Sequence, residues 1–217
     1  MGGVAASTFK QQIENLAKEK APGPSTTFSV FHLFYALELM NQKPIGRNKL
    51  AEKMEVGEGA IRTIIRRLRD SGLIACAKQG CSLTEKGATT WKKFKELYPQ
   101  RVEISRTELT NATHNYAFLV KATADKVKSG IEQRDAAIIA GAKRATVIVA
   151  KNGTLRIESV SENIGKDFPK ATNQILKDLK PQDNDVIIVA GADTLLKAMH
   201  GAFAAGWSLV NDEKKTR

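Results

Sequence analysis

The chain has 217 residues, 42% of them hydrophobic, and carries a formal net charge of +11 with a sequence pI of about 9.7. This length allows one large or two small domains, and the apolar fraction supports a packed core. No run approaches the roughly 18 apolar residues of a bilayer span, and the N-terminal MGGVAASTFKQQ lacks the charged stretch and apolar core of a secretory signal. The expectation is a cytoplasmic protein with no membrane partner. Its positive balance favours a polyanion such as nucleic acid, and the bias is stronger in residues 1–100, at +7, than in residues 101–217, at +4.

Residues 8–20 predict a short helix. APGPSTT (21–27) stops it, because two prolines and a glycine oppose helix continuation. Residues 1–26 therefore read as an N-terminal extension. Thr27 or Ser29 can cap the next segment, FSVFHLFYALELM, whose apolar residues fall on most sides and predict a buried helix. His32 on it reads as a core or boundary residue. RNKLAEKM predicts a two-turn helix with Leu50, Ala51 and Met54 on one face. EVGEG turns the chain into a helix over residues 58–71 with an apolar stripe of Ile61, Ile64, Ile65 and Leu68, spaced i, i+3, i+4, i+7. Gly72 stops it. LIACAK and CSLT are short strands around a QG turn, and EKGATTWKKFKEL is a helix ending near Pro99. Three helices with a tight second turn, then a two-stranded wing, predict a winged helix-turn-helix over residues 27–99.

After Pro99 the composition shifts. RVEISRTEL and NYAFLVKA alternate as strands do, EQRDAAIIAGA reads as a helix, and ATVIVA and TLRIES form a hairpin around Asn152-Gly153. DFPKATNQILKDL is a helix, NDVIIVA a wholly buried strand, ADTLLKAMHGAFAAG a helix, and WSLV a last strand. The fold class expected from this pattern is α+β: an N-terminal winged helix-turn-helix domain, then a mixed α/β domain over residues 100–217 for effector sensing or dimerisation.

Opposite the apolar stripe of helix 58–71 lie Gly59, Arg62, Thr63 and Arg66, flanked by Arg67 and Arg69. The small Gly59 and Ala60 permit close approach to a groove, and the free amides of the helix start favour phosphate. Arginine's planar fork matches both guanine edges and phosphates. The plainer alternative is a solvated face, which would more often mix in Glu for i,i+4 pairs; here Glu58 and Asp70 stand only at the two ends. The expected DNA-binding set is Arg47, Lys49, Gly59, Ala60, Arg62, Thr63, Arg66, Arg67, Lys78 and Gln79. Arg47 and Lys49 act there as phosphate clamps, and Lys78 and Gln79 sit at the wing tip.

The run PIGRNKLAEKMEVGEGAIRTIIRRLRDSGLI, with GCSLTEKG after it, resembles the winged-helix domain of bacterial and archaeal transcription regulators. Together with GIEQRDAAIIAGAKRATVIVAKNG, it resembles archaeal two-domain winged-helix proteins with an uncharacterised C-terminal α/β domain, over most of residues 27–210. Sugar-responsive glycolytic repressors and GntR-like regulators are similar over the first part only. Arg62 matches an arginine common to these groups. Glu58 stands where the GntR-like group often has an arginine, which sets this chain apart from that group's base-reading scheme. The resemblance implies sequence-specific binding of double-stranded DNA, and a single winged helix covers so few base pairs that a homodimer is expected.

Gln133, Arg134 and Asp135 cluster at a helix start, where Arg134 can hold an anionic small-molecule effector or pair with an acid to lock a domain or dimer. Gly191, Asp193 and Thr194, between a strand and a helix, read as an anion site or as plain helix capping. Cys76 and Cys81 flank the wing turn and are expected to stay reduced, with a redox switch as the alternative. His32, His114 and His200 are scattered and no Cys-x-x-Cys exists, so no metal site is expected. With no nucleophile elbow, Walker loop or dinucleotide fingerprint, neither catalysis nor a cofactor is expected. Two other readings stay open: an enzyme acting on a nucleotide or RNA that docks through the winged helix, and a protein-interaction adaptor.

Overall fold

The computed structural model describes residues 8–18 and 27–210. The expected helix stop at residues 21–26 and the readings made of residues 1–7 lie outside them. The chain divides into two units, one ending at Phe94 and one spanning Lys95–Val210. The class is α+β, a mainly helical N-terminal part followed by an α/β part.

In the first unit, α1 (Phe9–Ala17) begins with a capping box in which Thr8 and Gln11 exchange backbone-to-side-chain hydrogen bonds of 3.2 Å. This satisfies two amides that a helix start otherwise leaves open. α2 (Val30–Gln42) is buried on most sides through Phe31, Leu33, Phe34 and Leu37, as its near-uniform apolar pattern requires. α3 (Arg47–Met54) buries Leu50 and Met54 and ends on Glu55 in the left-handed conformation. α4 (Glu58–Asp70) buries Ile61, Ile64 and Leu68, with Ile65 at the boundary. β1 (Ile74–Ala77) and β2 (Gly80–Leu83) form the antiparallel wing, and Ile45 joins its edge through paired backbone bonds with Cys81. Gly80 is needed at that crossing, because at φ +122° a Cβ would lie 2.6 Å from the Ile45 backbone. α5 (Glu85–Leu97) follows.

The Thr84 hydroxyl accepts from the Gly87 amide, capping α5, and donates to the Gly72 carbonyl beyond α4. A Cβ on Gly87 would fall 2.0 Å from the Leu73 carbonyl oxygen, so only glycine lets α5 press on the backbone just before β1.

His32 faces the core of this unit. The Ser29 amide donates to its Nδ1 at 3.0 Å, and burial pulls the imidazole down from an ordinary 6.5 to about 4. The unfolded chain takes up a proton near pH 6.5 that the folded chain refuses until about pH 4. The stability from keeping His32 neutral is therefore complete above pH 6.5 and is lost as pH falls, by about 3 kcal/mol in all. Denaturant titrations from pH 7 to pH 4.5 should show that loss, and His32→Gln, which keeps an acceptor at this position, should flatten it. An unchanged slope in the variant would show that His32 is not the group responsible.

The second unit is a five-stranded antiparallel sheet in the order β3-β4-β7-β5-β6. The strands are β3 (Arg101–Ile104), β4 (His114–Val120), β5 (Arg144–Lys151), β6 (Thr154–Arg156) and β7 (Val186–Ala192). β7 is central and buried along its whole length, which accounts for its uninterrupted apolar run. α6 (Ile131–Ile139) and α9 (Leu195–Ser208) cover one face. Opposite them, α7 (Ile164–Asp167) and α8 (Pro169–Leu179) pack against Ala117, Leu119, Ile148, Ile187 and Val189. Asn152 and Gly153 both have positive φ, 53° and 68°, the conformation the hairpin turn demands. WSLV is not a strand. Trp207 and Ser208 complete α9, and Leu209 and Val210 bond back to Gly206 and Trp207, because burial of Ala205, Gly206 and Trp207 continues the helical period through the segment.

Candidate nucleic-acid interface

The exposed face of α4 follows from its core face. Arg62, Arg66 and Arg69, spaced i, i+4, i+7, form one row opposite Ile64 and Leu68, and all three are exposed. Arg62 reaches back to Glu58 at 3.1 Å, and Arg69 lies 3.9 Å from Asp70. Arg66 makes no ion pair among the described residues. Arg69, expected only on the flank of this face, completes the row at heptad spacing from Arg62. At the start of the helix nothing lies within 4 Å of where a Gly59 Cβ would be, Ala60 is half-buried, and the Thr63 hydroxyl donates to the Gly59 carbonyl. Arg47 and Lys49 are exposed on the first turn of α3, with Lys49 held by Glu52 at 2.9 Å. Lys78 and Gln79 are the two exposed turn residues between Ala77 and Gly80.

Arg67 corrects the expected DNA-binding set. It is only 6% exposed, its Nη1 donates to the carbonyls of Leu16 at 2.8 Å and Lys18 at 2.6 Å, and its guanidinium lies over the Phe28 ring. It is a clamp on the end of α1. One residue from Arg66 turns the side chain about 100° round the helix, from the open face towards α1.

The expectation of reduced cysteines is also overturned, since Cys76 and Cys81 form a disulfide. The wing register sets them directly opposite each other across the hairpin, with Cα atoms 4.0 Å apart. On the chain-entropy account, closing so short a loop stabilises by about 2 kcal/mol. Reductant should lower the melting temperature of the wild type and leave Cys76→Ser/Cys81→Ser unmoved; equal melting with and without reductant would remove this role for the bridge.

The two groups considered for an anionic effector do not form one site. Gln133 is buried and donates to Ser208 at the end of α9, whereas Thr194 caps the start of α9 by accepting from the Lys197 amide. α9 has 14 residues, a separation of about 20 Å. Arg134 and Asp135 are exposed and pair with each other at 3.1 Å. Gly191 lies inside β7, and the space a Cβ would take there is filled by Ala112 and Thr110, so it is no open phosphate cradle. Asp193 is exposed, and its hydrogen bond with the Lys143 side chain holds its carboxyl below the usual range. Among the described residues no group of three or more His, Cys, Asp or Glu is placed to hold a metal ion, and no helix is long and apolar enough to cross a membrane.

The molecule is thus a two-domain α+β protein, with a helix-turn-helix and wing in its first unit and an α/β sheet unit in its second. Residues 34–89 match the family described as PH0730-like, N-terminal domain, and residues 111–209 match a domain of unknown function, DUF4443. Among solved structures, the hypothetical protein PH0730 from Pyrococcus horikoshii OT3 is similar at 26% sequence identity and a TM-score of 0.70, over 84% of this chain and 92% of that one. These matches fit a two-domain archaeal protein. No curated protein matches.

Proposed function

We propose that this protein is a cytoplasmic, homodimeric transcription regulator that binds specific sequences of double-stranded DNA. In this reading α4 enters the major groove and the wing tip touches the backbone. The observation that carries it is the row of Arg62, Arg66 and Arg69, exposed along one face of a helix whose other face is core. Such a row offers three guanidinium forks along one face of a helix that a major groove can admit, and the unobstructed Gly59 lets the start of the helix approach a groove wall. Lys78 at the wing tip and Arg47 on α3 supply charge for phosphates. The ion pairs of Arg62 and Arg69 do not argue against this, because exposed pairs are worth well under about 1 kcal/mol and exchange readily for phosphate.

The direct test is selection from a random duplex pool by the full-length protein, with sequencing of what is retained. Enrichment of a defined, two-fold symmetric motif is the expected result. Uniform retention of all sequences, or none, sets this reading aside.

A further inference from the structure

β5 is bonded on one side to β7 along Arg144–Val149, but on its other side β6 covers only Val149, Ala150 and Lys151. The Ala150 amide donates to the Asp185 carbonyl, which fixes the alternation of the ladder. Arg144, Thr146 and Ile148 point their backbone groups at β7, and Ala145 and Val147 point theirs outward. Beyond Arg156 the chain turns away through the Ile157–Ser161 bridge, and no described residue bonds the outward groups of Ala145 and Val147. An open edge of this kind is a template for another strand. The apolar side chains around it are also uncovered. Of the five large hydrophobic residues most exposed among the described ones, Ile131, Ile138 and Ile139 lie on α6 beside β5, and Val160 lies on the turn after β6. Ile131 and Val160 line a groove of about 270 Å³ that runs over Ala145, Thr146 and Val147.

We propose that two copies of this chain join through this edge, β5 against β5, in an antiparallel pairing centred on Thr146. The proposal rests on the homodimer of the reading above and names its surface. Two outward-facing residues two apart are satisfied in full by a two-fold copy of themselves. Ala145 exchanges both backbone bonds with the partner's Val147, and Val147 does the same with the partner's Ala145. A peptide of unrelated sequence could fill the same edge, but three features favour a second copy. The register is self-complementary, as a two-fold interface requires. The axis runs perpendicular to the sheet, so each copy's α6 stays on the same side of the joined sheet, and the Ile131 and Ile138 stripes meet across the seam. Charge also matches. Arg144 is exposed and forms no ion pair among the described residues, and the partner's Arg144 arrives opposite Ile148, beside a groove lined by Glu108 and by Glu158, the latter paired with Arg156 at 2.7 Å. Arg134, already held by Asp135, lies at its rim.

The test uses the full-length chain without DNA. Sedimentation at micromolar concentration should give twice the 23.7 kDa chain mass. Ala145→Pro removes an outward amide and leaves the β7 bonds in place. It should raise the dimer dissociation constant at least about tenfold, as should Val160→Lys on the exposed turn. If circular dichroism shows that the proline variant misfolds, Val160→Lys carries the decision. In a Cys76→Ser/Cys81→Ser background, Thr146→Cys places two thiols across the axis at a non-bonded pair, about 4.5 Å apart at Cα, and oxidant should cross-link the dimer. A monomeric wild type overturns the proposal. So does a dimer that survives Val160→Lys and does not cross-link through position 146. A dimer that lacks DNA selectivity sinks the regulator reading and leaves this surface standing; a monomer that selects DNA overturns this surface and the homodimer and leaves only the DNA-binding part of that reading.

Discussion

Arg67→Ala is expected to lower the unfolding free energy by about 2–4 kcal/mol, although the position stands in a run of basic residues on an amphipathic helix. The side chain is buried, and its two shortest contacts are to the carbonyls of Leu16 and Lys18. Those carbonyls belong to the C-terminal end of α1, where the last turn has no acceptors' partners within the helix and the dipole favours a cation. Truncation leaves both oxygens without their donor and uncovers the Phe28 ring, over which the guanidinium sits at 5.0 Å. Arg67→Lys should recover only part of the loss, because an ammonium can donate to the carbonyls but lacks the planar guanidinium that lies over the Phe28 ring. Denaturant unfolding gives the size of the effect, and hydrogen exchange its place: amides of α1 and α4 should exchange faster. A variant with the wild-type midpoint and exchange pattern would show that the clamp contributes nothing.

Arg66→Ala, one residue earlier, should do the opposite. Arg66 is exposed and forms no ion pair among the described residues, so stability should change by less than about 0.5 kcal/mol. The loss should appear in DNA affinity. A lost two-pronged base contact costs on the order of 1–3 kcal/mol and relaxes preference at one position of the site. Arg62→Ala should behave in the same way, its bond to Glu58 being between two groups roughly two-thirds exposed and so of little energetic weight. Lys49→Ala and Lys78→Ala should instead weaken every duplex alike and reduce the salt slope by about one unit, as phosphate contacts do. Salt titrations on specific and random duplex, with melting curves alongside, separate these outcomes. If Arg62→Ala and Arg66→Ala fold normally and bind every duplex as the wild type does, α4 is a solvated face, and the enzyme and adaptor readings move ahead.

The pair Arg66 and Arg67 also marks the limit of the sequence by itself. Periodicity determined the helices of the first unit, because Ile61, Ile64 and Leu68 can be buried together only at 3.6 residues per turn. It determined the hairpin at Asn152-Gly153, because few residues tolerate positive φ there, and the central strand of the second unit, because a segment buried on both faces has no polar alternation to show. What it could not determine is where a long polar side chain goes at the edge of an apolar stripe. Arg67 lies at such an edge, and its partners are backbone carbonyls some 50 residues away, which carry no side-chain signature. The same reason hid the role of Gly191, which is crowded by Ala112 and Thr110 from a distant loop, and the separation of Gln133 from Thr194 along α9. The disulfide needed the register that sets Cys76 against Cys81, and the open edge of β5 needed the strand order. Local spacing reports which way a residue leans, and only the packed neighbours decide what it meets.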